Sequence, residues 1–307
     1  MQLSQKTRNQ TISQTVKNNN KNCIALKSCV ACKLMERVIT KRIYVHLAEN
    51  NLLSQAQRGF VSGHSTCTNL LECLNDWTLT VQNKKTVTVA YIDFSRAFDS
   101  VSHNKLLAKL HTYGIRGEVL LWLEHYFDKR THQTRVGDCL SDEATLVSGV
   151  VQGNGTGPLS FLIFVDELAK LLERHGVVVK LFADDVKVYM EISNVDDAAK
   201  LQKALDLIAE WADDWQPGLS IGKCNTLSIG KHQDTTQYYI DGTELPCLPT
   251  AEIGSYYYLR SISLSSYSAD YYQGPSTCQK HLAMFYVWKC YITCSCICGL
   301  CPTSIRI

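Results

Sequence analysis

The stretch Lys180-Leu181-Phe182-Ala183-Asp184-Asp185-Val186-Lys187-Val188-Tyr189 constrains this chain more than any other. It reads as a strand, a tight turn carrying two adjacent carboxylates, and a second strand. Val177, Val178 and Val179 lead in, and Val186, Val188 and Met190 alternate with polar residues on the way out. Neighbouring carboxylates repel. Hydration of an exposed turn relieves the repulsion, and so do divalent cations bound through hard oxygens. A lone Asp-Asp hairpin is commonly the hydrated turn, so the metal reading depends on matching chemistry elsewhere in the chain.

The chain has 307 residues, enough for one large domain or two smaller ones, and an ordinary soluble composition of 45% apolar and 20% charged residues. Its net charge of +2 sets up no global basic field, so a polyanion would have to bind in a local groove. No apolar run follows the charged N-terminus, so no secretory signal is expected and the reading is intracellular, nucleus and cytoplasm not being distinguished. Eight of the 14 cysteines scatter over the first 250 residues, as reduced cysteines acting as small hydrophobes would. The other six crowd Cys278–Cys301 without the two C-x-x-C pairs of a zinc site.

Residues 1–21 are polar and expected to be disordered. Apolar spacing predicts helices over Val30–Asn50 and Thr66–Val81, with a Gly59- and Gly63-containing loop between them. Thr86–Ile92 is β-branched and predicts a strand ending at Asp93. Ser102 is expected to cap a helix that Gly114 closes, and a further helix covers about Glu118–Phe127. Short strands are expected near 131–136 and 144–148. Beyond a Gly-rich turn at 153–158, Pro158 is expected to open a helix over 159–173. A helix over Val195–Trp215, a strand at Asn225–Ile229 and a hairpin turn at Asp241-Gly242 complete the pattern. Strands ending in Asp93 and in Asp184/Asp185 can lie side by side in a small sheet and bring three carboxylates to one edge. That arrangement suits two metals about 3.5–4 Å apart in phosphoryl transfer. Asp93 taken alone reads equally well as a turn or cap acid.

The run AYIDFSRAFDSVSH from Ala90 to His103 resembles motif A of the reverse transcriptases of non-LTR retrotransposons of the LINE and jockey type. Ser148–Gly153 with Gly157-Pro158-Leu159, continuing through Leu168, is similar to motif B. Phe182–Asp185 is similar to motif C, and Gly222-Lys223-Cys224 to motif D. Cys32–Arg37 and Gln57-Arg58-Gly59-Phe60 resemble the family's fingers, and the likeness covers residues 22–252. It implies an α+β fold: the fingers and palm of a right-hand polymerase, with a ferredoxin-like palm sheet and a degenerate or missing thumb. It implies an RNA-directed DNA polymerase that joins deoxynucleotide triphosphates to a DNA primer on an RNA template, with two Mg²⁺ ions and no membrane. By the resemblance, Asp93, Asp184 and Asp185 hold the metals, with the Phe94 carbonyl a possible further ligand. Phe98 excludes a ribose 2′-OH, Gln152 and Gly153 line the nucleotide and template pocket, and Lys223 protonates the leaving pyrophosphate. Taken alone, Lys223 reads as a solvated surface lysine.

The chain also departs from the family's pattern. Asn22-Cys23 stands in place of an Arg-Pro pair, Val61 in place of a fingers Arg, and Val151 and Asn154-Gly155-Thr156 in place of the usual motif B residues. Fewer fingers cations and a looser turn predict weaker nucleotide and template binding. A second reading is therefore an inactive retroelement remnant with at most weak nucleic-acid binding. A non-polymerase palm enzyme is a third, and the long motif A likeness argues against it. The likeness ends near Glu252. Reverse-translated with permitted codons and read from the second base, Ile253–Tyr267 yields LGVITISDLSPSAH, which is similar to the family's continuation. Residues 253–307 are thus expected to be a divergent, frameshifted tail. The competing reading of its apolar segment Met284–Cys301, a membrane anchor, has 18 residues, barely enough to span a bilayer.

Overall fold

The computed structural model describes residues 30–133, 135–136, 139–151, 155–230 and 235–248. The expected disordered segment 1–21, the tail 253–307, Gln152 and Gly153 lie outside them. Helix α1 (Val30–Glu49) is followed by α2 (Thr66–Gln82), β1 (Thr86–Ile92), α3 (His103–Thr112) and α4 (Gly117–Phe127). Four two-residue strands come next: β2 (Thr131–His132), β3 (Arg135–Val136), β4 (Cys139–Leu140) and β5 (Ala144–Thr145). The remainder is α5 (Thr156–Arg174), β6 (Val178–Phe182), β7 (Asp185–Ile192), α6 (Val195–Trp215), β8 (Asn225–Ile229), β9 (Tyr239–Ile240) and β10 (Thr243–Glu244).

Local chemistry accounts for several boundaries. Ser65 and Thr68 form a reciprocal capping box at the start of α2, and Asn194 accepts the Asp197 N–H at 2.9 Å to start α6. Asp241 and Gly242 both take positive φ, 48° and 70°, and close the β9–β10 hairpin as a two-residue turn. Two expectations are corrected. Ser102 stands at the N-cap of α3 but its side chain makes no capping bond; its backbone instead bridges to Ser148. Helix α5 begins at Thr156, so Pro158 sits within the first turn, where its missing N–H would have had no helical partner.

Four strands form one antiparallel sheet in the order β6-β7-β1-β8. Together with α5 before β6 and α6 before β8, this is the ferredoxin-like palm. Helices cover both faces, which is why every residue of β1 is buried, its threonines included. Ala90, Ile92, Val186 and Val188 join the larger core with α5 and α6, whose Phe161, Phe164, Leu205 and Ile208 are buried. Val87, Val89, Tyr91 and Tyr189 form a smaller core under α2 with Cys73 and Trp77. The buried Asp166 of α5 joins three elements. It accepts the Ser54 N–H at 2.6 Å, pairs with Lys170 at 2.6 Å, and accepts the Tyr113 hydroxyl. Among the described residues no helix is long and apolar enough to cross a membrane.

Candidate active site

The sheet brings the two acidic strand ends together. Ile92 of β1 pairs with Val186 of β7, and the same register carried one residue further sets Asp93 across from Asp185. The hairpin differs from its sequence reading in one respect. Phe182 pairs with Asp185, so the turn is Ala183-Asp184 and Asp185 already belongs to β7. All three aspartates therefore lie at one end of the β1–β7 pair, each partly exposed.

The segment after α6 closes the other side of Asp93. Leu219 bridges Phe94 in antiparallel fashion: the Ser220 N–H donates to the Asp93 carbonyl at 2.8 Å, and the Ser95 N–H to the Gly218 carbonyl at 2.7 Å. These bonds use the groups flanking Phe94, so its own carbonyl faces the β7 side of β1. The Phe94 ring is buried against Trp211, with centroids 5.8 Å apart. A 3₁₀ turn at Ile221–Lys223 then carries Lys223 to within 3.5 Å of Asp93 Oδ1, although the lysine side chain itself is 72% exposed. Behind them the buried Cys224 thiol accepts the Asp93 N–H at 3.4 Å.

Phe98 is half-buried. It stacks on Phe161 of α5 at 4.5 Å and meets the edge of Phe60 at 6.1 Å, so motif A, motif B and the fingers loop share one aromatic wall. The segment leading into motif B is zipped onto this loop. Val150 N–H donates to the Phe98 carbonyl at 2.8 Å, Gly149 N–H to the Val101 carbonyl at 2.8 Å, and the Ser148 hydroxyl to the Asp99 carbonyl at 3.0 Å. Gly149 has φ +92°, and a Cβ there would lie 2.9 Å from the Asp99 carbonyl oxygen, so this crossing requires glycine.

Gln57-Arg58-Gly59 was legible in the sequence as part of the fingers likeness, but its contacts with the hairpin and with Glu72 were not. Gln57 hydrogen-bonds both backbone groups of Ala183. Glu72 of α2 pairs with Arg58 and with Lys180, each at 2.9 Å, and Arg58 also contacts His64. Burial raises the Glu72 carboxyl pKa, but the hydrogen bonds and charges of Lys180 and Arg58 outweigh it and hold the group below the ordinary carboxylate value. The donor set Asp93, Asp184 and Asp185 is carboxylate oxygen throughout, the chemistry a hard divalent cation takes. The register gathers these residues at one edge, yet among the described residues no three His, Cys, Asp or Glu side chains close up as a metal site.

A family model described as reverse transcriptase (RNA-dependent DNA polymerase) matches residues 17–246. The probable RNA-directed DNA polymerase from transposon BS of Drosophila melanogaster is 28% identical over 211 residues, covering 64% of this chain. The RNA-directed DNA polymerase from mobile element jockey of the same organism is 26% identical over 203 residues, again 64% of this chain. The chain spans only 22% of the length of either relative. Among solved structures, a telomerase from Candida tropicalis in complex with a TWJ fragment of telomeric RNA superposes with a TM-score of 0.50 at 11% identity. It covers 66% of this chain and 35% of its own, a likeness of fold alone.

Proposed function

Because the chain belongs to the reverse transcriptase (RNA-dependent DNA polymerase) family, we propose that it is the fingers-and-palm core of a non-LTR retrotransposon polymerase that copies RNA into DNA. Members of the family use divalent metal ions. In this chain Asp93, Asp184 and Asp185 would hold two Mg²⁺. When bound, these ions would acidify the primer 3′-OH and neutralise charge on the phosphates. The chain's own residues do the rest. The 3′-OH would give its proton to solvent water as its oxygen attacks the α-phosphate of a deoxynucleotide triphosphate, the bond to pyrophosphate would break, and Lys223 would give the departing oxygen a proton. Phe98, braced by Phe161 and Phe60, is the wall against which a 2′-OH would clash. Gln152 and Gly153 would line the pocket for the incoming nucleotide and the template base.

The observation that supports this reading most is the pairing of β1 with β7, which sets Asp93 across from Asp185 at the edge that Lys223 also reaches. The test is primer extension on poly(rA)–oligo(dT) with Mg²⁺, beside the double variant Asp184→Ala/Asp185→Ala. Extension by the natural sequence and a loss of at least ~10³-fold in the variant are expected, since carboxylate ligands are removed without replacement. No extension by the natural sequence, or equal extension by both, would sink the proposal. The inactive-remnant reading draws support from one contact set: Glu72 occupies both Arg58 of the fingers loop and Lys180 of β6. It predicts weak duplex binding without extension in the same assay.

A further inference from the structure

Ala183 is the residue that makes the Asp-Asp hairpin turn possible, and it is an awkward one. Its φ is +56°, a left-handed conformation that a residue bearing Cβ disfavours and that glycine usually takes in such turns. It is also buried, so its backbone N–H and carbonyl need partners inside the protein. One side chain supplies both. The buried Gln57 accepts the Ala183 N–H on Oε1 at 3.0 Å and donates from Nε2 to the Ala183 carbonyl at 3.2 Å. The same Oε1 accepts the Gly59 N–H at 2.7 Å. These partners fix the orientation of the amide, because the reverse assignment would set its NH₂ against two N–H donors.

The main chain around Gln57 fits the same purpose. Leu181 N–H donates to the Ala56 carbonyl and Arg58 N–H to the Leu181 carbonyl, both at 2.9 Å, so residues 56–58 lie along β6 like a short parallel strand. Gly59 permits the close approach, for a Cβ there would lie 2.2 Å from the Ala183 nitrogen. The turn's conformation is thus held from outside the hairpin, by a loop 126 residues away in sequence. We propose that Gln57 is a positioning residue for the Ala183-Asp184 turn, setting the direction in which Asp184 and Asp185 leave the sheet edge. This rests on the reading of those carboxylates as metal ligands. It couples the fingers loop to the ligand geometry: whatever moves residues 56–59 also moves the carboxylates.

The substitution that isolates this role is Gln57→Met, which keeps side-chain length and volume while removing the three hydrogen bonds. Two readouts follow: hydrogen exchange at the Ala183 and Gly59 amides, and affinity for Mn²⁺ alone measured by electron paramagnetic resonance. Exchange at both amides should accelerate at least ~10-fold while the Leu227 amide in β8 keeps its protection. Mn²⁺ affinity should fall by roughly 10-fold, as for other residues that orient metal ligands. Adding Ala183→Gly, which makes the left-handed turn intrinsically favourable, should recover most of that affinity. A role in packing alone would show no such rescue. Should Gln57→Met not fold, Gln57→Asn keeps a neutral amide but draws it back by one methylene from Ala183, and should give the same pattern with smaller changes. Unchanged exchange at Ala183, or faster exchange with unaltered Mn²⁺ affinity, overturns the proposal. Failure of the natural chain to bind Mn²⁺ would instead remove the metal-ligand reading, and the exchange data would then decide the Gln57 contact by themselves.

Discussion

At the scale of single residues, Lys109 makes the sharpest prediction. Its Nζ is buried, donates to the Phe164 carbonyl at 2.5 Å, pairs with Glu167 at 3.0 Å and lies 3.6 Å from the centroid of Trp215. Burial pushes its pKa down to about 8, against the opposing pull of Glu167. The unfolded chain, with an ordinary lysine, keeps its proton up to about pH 10.4. Between the two values the unfolded state binds more protons, so stability rises with pH through that window. Below it the charged form is carried at a penalty of about 3 kcal/mol. Lys109→Met lacks this term. Urea unfolding should therefore show the natural chain gaining on the variant by about 1–3 kcal/mol between pH 7.5 and 10.5. A difference that stays constant with pH would mean that Lys109 is not titrating inside the fold.

Between elements, α2 acts as a clamp on the β6–β7 hairpin. Asn69 donates to the Leu181 carbonyl at 3.3 Å and accepts from Lys187 at 3.2 Å, while Glu72 holds Lys180 of β6 and Arg58 of the fingers loop. Both cations are mostly buried, with side chains only 16% and 17% exposed. Their charge is therefore spent on Glu72, beside the site where a polyanion is proposed to bind. Glu72→Gln keeps the shape and releases the charge. Anisotropy of a labelled RNA–DNA duplex should show binding tightened by ~3–10-fold at low salt, with the log–log salt slope steeper by about 1–2. An unchanged slope would place Arg58 and Lys180 off the nucleic-acid path.

For the whole molecule, the sheet is a partition between two unequal cores, and its stability depends on both. Trp77 of α2 is the largest side chain of the smaller core and meets the Tyr189 ring edge-on at 5.8 Å. Tyr189 donates its hydroxyl to Asp76 at 2.5 Å, which fixes α2 over β7. Trp77→Ala should cost about 3–5 kcal/mol by leaving a cavity that rigid neighbours cannot fill. In a chain of this size that corresponds to a fall in Tm of roughly 6–20 °C, read by differential scanning calorimetry. Retention of the natural Tm would mean that the α2 face is not part of the cooperative unit.

Periodicity, caps and turn chemistry by themselves determined most element bounds. Thr86–Ile92, Val195–Trp215, Asn225–Ile229 and the Asp241-Gly242 hairpin are local patterns, and local backbone physics suffices to produce them. The residue types at the strand ends, three aspartates and a lysine, were equally legible, as was the α+β class. Tertiary structure alone decided which groups meet. Asp93 faces Asp185 because β1 inserts between β7 and β8, and Lys223 reaches Asp93 because the chain after α6 returns along Phe94. The Asp-Asp turn moved by one residue because pairing of Phe182 with Asp185, and the grip of Gln57 on Ala183, select one register among those a run of polar residues permits. The grip of Gln57 on Ala183 joins positions 126 residues apart in sequence. The energies of such contacts depend on neighbours that no local pattern specifies.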